Sequence, residues 1–342
     1  MTSFDRRHLL RAAGAAAAVA CASPLLRAQG LQSVKVTQAV SSLAYIQSFV
    51  AQQNGYFKSE GLDTELINTG GGGPDVQIVL AGKAEFTVND GAQVFPAVQQ
   101  GQKLNCVMAL LNRSIVNVSM RKSAADKLGI TASTPVAEKI RRMKGLRIGV
   151  TKPGALTWQM ARYNFISAGM NPDNDAEITG MGDAPSLAAA LRQGNLDAIY
   201  ISVPIGETLV GQGVAVTLID NSRGEDTSLP SFLMEGLWAT PDYIKANRPV
   251  VTKMVSAYRK ASGFLVQSTP EDIAKALKPV FSGLTDEVLL EGVRRVKQAV
   301  SATGTIDAAL LENTQKVLEV NGVMKKKLVL ADVFDSSFIK AA

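Results

Sequence analysis

Histidine is almost missing from this chain. The single imidazole, His8, stands in an N-terminal segment that reads as cleavable. Without it, His-based general acid–base catalysis and His-ligated metals drop out together, so no catalytic residue, metal or cofactor is expected. Cysteine is scarce too. Cys21 lies in the same leader, which leaves Cys106 alone and excludes an intramolecular disulfide. Cys106 falls in the apolar run Leu104–Leu111 and reads as a buried small hydrophobe rather than a nucleophile. No apolar run reaches the roughly 20 residues that a bilayer span requires. Basic blocks are absent beyond Lys325–Lys327, which reads as a solvated face, so nucleic-acid binding has no footprint.

What is present begins with Arg6–Arg7. They precede Leu9–Leu10 and the alanine-rich stretch Ala12–Ala22, with small residues again at Ala28–Gly30. A basic start, a short apolar core and small residues for cleavage mark an export signal over residues 1–28. The paired arginines resemble a twin-arginine signal, which predicts a periplasmic product. Cleavage fits after Ala22 or after Ala28. Lipidation of Cys21 is the weaker alternative, because Ala18 stands where a larger aliphatic residue is usual. Removing Arg6, Arg7, Arg11, Arg27 and Asp5 leaves 32 basic and 29 acidic residues, a net +3 against +6 for the whole chain. This mild balance tolerates an anionic ligand without requiring one.

The remaining length exceeds one ordinary core, so two lobes are expected. Strand-like runs alternate with amphipathic helices, the pattern of an α/β fold. Val34–Gln38, Thr64–Ile67 and Glu85–Val88 read as strands, each followed by a helix. Cys106–Leu111 and Val116–Met120 are paired strand-like runs. A second βα series then uses Leu146–Thr151, Glu177–Thr179, Leu196–Ile201 and Val214–Ile219. From Pro241 onward the chain reads as helices only, one of them starting at Asn247-Arg248-Pro249, a tail expected to cover the first lobe.

Several segments resemble a family. Ala51–Leu62 contains Gly55-Tyr56-Phe57 and Glu60-Gly61-Leu62, and is similar to the "A-x-x-x-G-Y-F-x-x-E-G-L" segment of periplasmic solute-binding proteins of ABC importers. The branch is the one with sulfonate-, taurine- and nitrate-binding proteins and thiamine-pyrimidine-precursor proteins. Gly70–Gly73 before a helix, Leu80–Phe86, Leu146–Val150 and Ala188–Ala198 match further family segments in order. The resemblance implies a type II-like two-lobed fold, each lobe a mostly parallel sheet flanked by helices, joined by two hinge strands. Lobe I is then 31–115 with 231–342, and lobe II is 116–230. It also implies a monomer that closes on a small ligand and hands it to an inner-membrane permease. An enzyme like the thiamine-pyrimidine synthases is one alternative on this scaffold. A sensing module for a membrane receptor is another.

Ligands of open α/β sheets sit beyond the carboxyl ends of strands, where helix N-termini offer free N–H groups. That rule selects Ser41, Ser42 and Tyr45 after the first strand, Gly71 and Gly72 before the next helix, and Asn89 and Asp90 after the third strand. Ser42 reads equally as an N-cap and Asp90 as a turn residue. In the second lobe Lys152, Gly154, Ala155 and Thr157 combine a cation, a glycine turn, a helix start and a hydroxyl, the best place for an anionic group. Arg113 near the first crossover, Ser202 and Trp238 complete the candidates; Trp238 reads equally as core packing. The ligand expected is a small organic anion, a sulfonate or a carboxylate.

Overall fold

The computed structural model describes residues 30–339. The export-signal readings at Arg6–Arg7, the cleavage positions and Cys21 lie outside the described residues. The first sheet takes β1 (Gln32–Gln38), β2 (Leu62–Asn68), β3 (Phe86–Asn89) and β4 (Asn105–Leu111). The chain then crosses into a second sheet of β5 (Val116–Arg121), β6 (Arg147–Val150), β7 (Glu177–Gly180), β8 (Ala198–Ser202) and β9 (Ala215–Ile219). It returns to the first sheet as β10 (Glu235–Ala239).

The strand orders are β2-β1-β3-β10-β4 and β7-β6-β8-β5-β9. The two lobes therefore repeat one plan. In each, the strand that enters from the other lobe pairs antiparallel with both neighbours, β10 with β3 and β4, and β5 with β8 and β9. The other pairings of β1, β2, β3, β6, β7 and β8 are parallel. Parallel strands point their carboxyl ends to one edge, so each lobe presents a row of strand-to-helix turns there.

The sequence pattern does not anticipate β10. All five of its residues are buried, so the alternation that marks a half-exposed strand is lost, and Glu235 and Gly236 are poor strand formers. Helices Lys122–Leu128 and Val136–Arg141 are also unanticipated; both are short, with too few turns to show a period.

The tail does more than cover the first lobe. Helix Arg248–Gln267 packs on helix Ile46–Gln53 of that lobe. Helix Ala308–Val320, however, packs against both Gly91–Gln99 of the first lobe and Leu156–Ser167 of the second. Helix Asp286–Lys297 also threads between the lobes. A Cβ on its Gly292 would lie 2.5 Å from Leu43 and 3.1 Å from Pro204, so glycine permits that approach. One turn on, Arg295 ion-pairs with Glu207 at 3.4 Å, Glu291 at 2.9 Å, and Asp220. Glu207 and Asp220 belong to the second lobe, so this buried arginine fastens the tail across the hinge.

Candidate ligand cleft

The carboxyl edges of the two sheets approach each other. Gln93, in the first turn of helix Gly91–Gln99, donates from Nε2 to the carbonyl of Gly154 at 3.4 Å. The turn after β3 and the turn after β6 therefore face across one cleft.

Helix capping sorts the turns along these edges. Ser42 Oγ accepts from Ala44 N at 3.1 Å, Asp90 Oδ1 from Gln93 N at 2.9 Å and Asp183 Oδ1 from Ser186 N at 2.8 Å. These side chains satisfy the first-turn donors of their own elements. Two longer helices begin without a side-chain cap: Gly72–Leu80 after Gly71, and Leu156–Ser167 after Ala155. Among the described residues no N-cap side chain takes up their leading N–H groups.

The candidates divide accordingly. Ser41 is exposed, and its Oγ accepts from Asn68 Nδ2 at 3.0 Å. Val40 beside it is 48% exposed, an apolar surface at the same rim. Tyr45 is buried, and its hydroxyl accepts from Ala39 N at 3.2 Å. Asn89 is buried; its Oδ1 accepts from Asp90 N and its carbonyl from Trp238 Nε1, both at 2.9 Å. Lys152 and Gly154 are exposed and Ala155 is half-buried, with Gly154 at φ +80° in the left-handed region. No ion pair engages Lys152 among the described residues. Ser202 is half-buried at the end of β8. Arg113 is half-buried in the crossover after β4, against Gly224 of the return crossover; a Cβ there would meet its guanidinium at 3.6 Å.

Two candidates are occupied within the fold. The buried Thr157 hydroxyl accepts from Thr151 N at 3.0 Å and bonds Thr151 Oγ1 at 2.8 Å, so it shapes the β6 turn. Trp238 is fully buried, with its ring edge-on to Phe95 at 6.2 Å; it is core, because β10 lies inside the sheet.

The residues that sequence reasoning passed over are acidic. Glu235 is 2% exposed and Asp75 fully buried, and Glu235 Oε2 and Asp75 Oδ2 have no hydrogen-bond partner. Thr69 Oγ1 donates to the other oxygen of Asp75. Burial pushes the Asp75 and Asp90 carboxyls up to about 7, with the charge of Asp90 adding to Asp75. Burial, then the charges of Asp90 and Asp75, push Glu235 well above the usual carboxylate range. The same three carboxyls add to burial in raising the Tyr45 phenol. The sequence signal was an acid inside the apolar run Met234–Trp238.

The arrangement defines a class: two α/β lobes of one topology, joined by two crossovers, with facing carboxyl edges, which is the periplasmic binding protein fold. Residues 43–272 match the family described as NMT1/THI5 like, and the chain belongs to it. YtlA of Bacillus subtilis (strain 168) is 21% identical over 87% of this chain and 86% of its own length. The nitrate/nitrite binding protein NrtA of Nostoc sp. is 22% identical over 70% of this chain and 62% of its own length. The alkanesulfonate-binding protein SsuA from Xanthomonas axonopodis pv. citri, solved with MOPS bound, superposes with a TM-score of 0.68 at 17% identity, covering 90% of this chain and 99% of that one.

Proposed function

We propose that this protein is the periplasmic solute-binding component of an ABC importer, and that it captures a small organic acid between its lobes and delivers it to a permease. The observation that carries the reading is the facing pair of uncapped helix starts, at Gly71 and Ala155, on edges that approach at Gln93 and Gly154. A ligand touching both edges stabilises the closed arrangement and shifts its population. An acidic group fits at Lys152–Ala155, where an unpaired cation, an open glycine turn and free N–H groups converge. The nitrate and alkanesulfonate named for the two relatives support an anionic group.

The enzyme alternative needs an accessible nucleophile or base. Cys106 is buried, its Sγ donates to Met108 O at 3.2 Å, and burial pushes the thiol up. That favours capture over turnover. Calorimetry on the ligand found by a thermal-shift screen of small acids tests the site, because a ligand bound only by the folded state raises its stability. Lys152→Ala is expected to weaken binding by about 1.5–3 kcal/mol, the range for a charged hydrogen bond. Gly154→Val is expected to cost more, because valine is strained at that φ. Unchanged affinity in both places the acid elsewhere.

Export is the second test. Replacing Arg6 and Arg7 by lysine is expected to trap precursor in the cytoplasm. Normal export of that variant rejects the twin-arginine route.

A further inference from the structure

A cavity of about 610 Å³ lies beside the first crossover, inside the roughly 300–1,000 Å³ range of small-molecule sites. Its wall comes from two parts of the chain. Arg223 follows β9 in the return crossover of the second lobe. Val266, Pro270, Arg294, Lys297 and Val300 belong to the tail, and Val300 bridges to Leu111 at the end of β4. No residue of the turns after β1, β2, β3 or β6 takes part in this wall.

Every charged residue on the wall is basic. The guanidinium of Arg223 makes one hydrogen bond, from Nη2 to Glu291 at 3.3 Å, and its Nε lies 3.7 Å from Asp220. That of Arg294 also makes one, from Nη2 to Glu271 at 2.9 Å. These acids stand outside the wall, and the two arginine side chains are 52% and 47% exposed. Each guanidinium carries five N–H donors, so both keep donors for a further acceptor. Lys297 differs. Its Nζ donates to the carbonyls of Leu265, Val266 and Ser268 at 2.6, 2.7 and 3.0 Å, which uses its three protons and leaves its charge in place. The same bonds close the end of helix Arg248–Gln267 and fix Val266, which is 45% exposed. Apolar side chains beside guanidinium groups with spare donors suit an anion that carries an apolar body.

We infer that this cavity is a second ligand site, separate from the cleft, for a small amphipathic anion such as an aromatic sulfonate or carboxylate. The acidic group takes the spare donors of Arg223 and Arg294, and the apolar body lies on Val266, Pro270 and Val300. Arg223 belongs to the crossover and Arg294 to the tail, next to Arg295. A bound anion therefore ties the two parts that Arg295 already fastens, and it adds a contact across the hinge without entering the cleft.

The probe is 8-anilinonaphthalene-1-sulfonate, titrated into the mature protein and followed by fluorescence. The double variant Arg223→Gln/Arg294→Gln is expected to weaken probe binding by about tenfold or more, the loss of charge-assisted hydrogen bonds. Lys325→Gln/Lys326→Gln removes the same charge from an exposed segment outside the wall and is expected to leave binding unchanged. Val266→Glu sets a carboxylate among the three cations and is expected to expel the probe; it is the second variant should the arginine pair fail to fold. Inorganic sulfate, with charge but no apolar body, is expected to displace the probe at least about tenfold less well than naphthalene-1-sulfonate. Absence of binding to the parent protein overturns the inference. So does probe affinity that the arginine pair and Val266→Glu leave at the parent value, which places the dye elsewhere; loss with Lys152→Ala alone places it in the cleft. An equal loss in the lysine pair reduces the effect to overall charge and overturns the site, and equal displacement by sulfate overturns its apolar half.

Discussion

Asp197 and Glu235 are carboxyls near opposite edges of equivalent sheets, and the protein treats them in opposite ways. Asp197 precedes β8, at the edge away from the cleft. It accepts from Arg121 Nη2 at 3.0 Å, from Arg147 Nε and Nη2 at 3.0 and 2.8 Å, and from Arg147 N at 3.1 Å. These bonds, the Arg147 side chain foremost, hold its carboxyl down at about 2. Glu235 begins β10, at the cleft edge, with one oxygen unpartnered and its carboxyl pushed up by burial. Where a carboxylate serves the fold, two guanidinium groups and a backbone N–H compensate it. Where it borders the cleft, the compensation is left out.

The most forceful way to test that contrast is to remove the cation from a compensated group. Arg295 lies between Glu207, Asp220 and Glu291, with 10% of its side chain exposed. Arg295→Met would strand buried carboxylates and is expected to lower unfolding free energy by about 3–5 kcal/mol, measured by urea denaturation near pH 7. Adding Glu207→Gln is expected to recover part of that loss. A cost under about 1 kcal/mol would mean that the hinge network is not a fastening.

Asp197→Asn is the next step down. Its guanidinium partners are 31% and 39% exposed, so water compensates much of what is lost, and a cost of about 1–2 kcal/mol is expected near pH 7. The sign with pH follows from the lowered carboxyl. Stability from this group is present above the unfolded value near 4 and is lost as pH falls towards 2, so the variant and the parent should converge at low pH.

The fold was readable because its signals are local. Alternation at Val34–Gln38, the apolar run at Cys106–Leu111 and glycine stops at Gly55 and Gly82 each declare an element within a few residues. Thr269 and Thr285 mark tail-helix starts in the same way, as caps accepting from Asp272 N and Val288 N. The cleft was readable only in part. The rule that ligands gather at carboxyl edges selects the turns at Ser41–Ser42, Asn89–Asp90 and Lys152–Ala155 without a structure. What it cannot see is which hydroxyls the fold has already used, as with Thr157, or which strand inserts centrally, as β10 does. Glu235, Asp75 and Asp90 lie far apart in sequence, and no spacing rule brings them together. Trp238 misleads for the same reason: a tryptophan near a predicted cleft looks like a wall until its strand proves to be internal.

The smallest effect is the most discriminating. Glu235→Gln removes a buried acid with no donor on one oxygen and leaves an amide of the same shape. Deleting a compensated carboxylate must cost stability; deleting an uncompensated one need not, because its desolvation penalty goes with it. The expected change is a gain between zero and about 1 kcal/mol near pH 7, read by urea denaturation without ligand. The pH dependence has the opposite sign to that of Asp197. A carboxyl raised in the folded state binds its proton more tightly there than in the unfolded chain. Its stabilising contribution is full below the unfolded value and is lost as pH rises through the folded one. For Asp75 and Asp90 that window runs from about 4 to about 7, so the parent protein should lose stability across it. Glu235 adds to the slope, so the Glu235→Gln advantage should grow from pH 5 to pH 8. If the variant instead loses 2 kcal/mol or more, Glu235 has a partner within the fold. The two carboxyls would then differ in degree and not in kind.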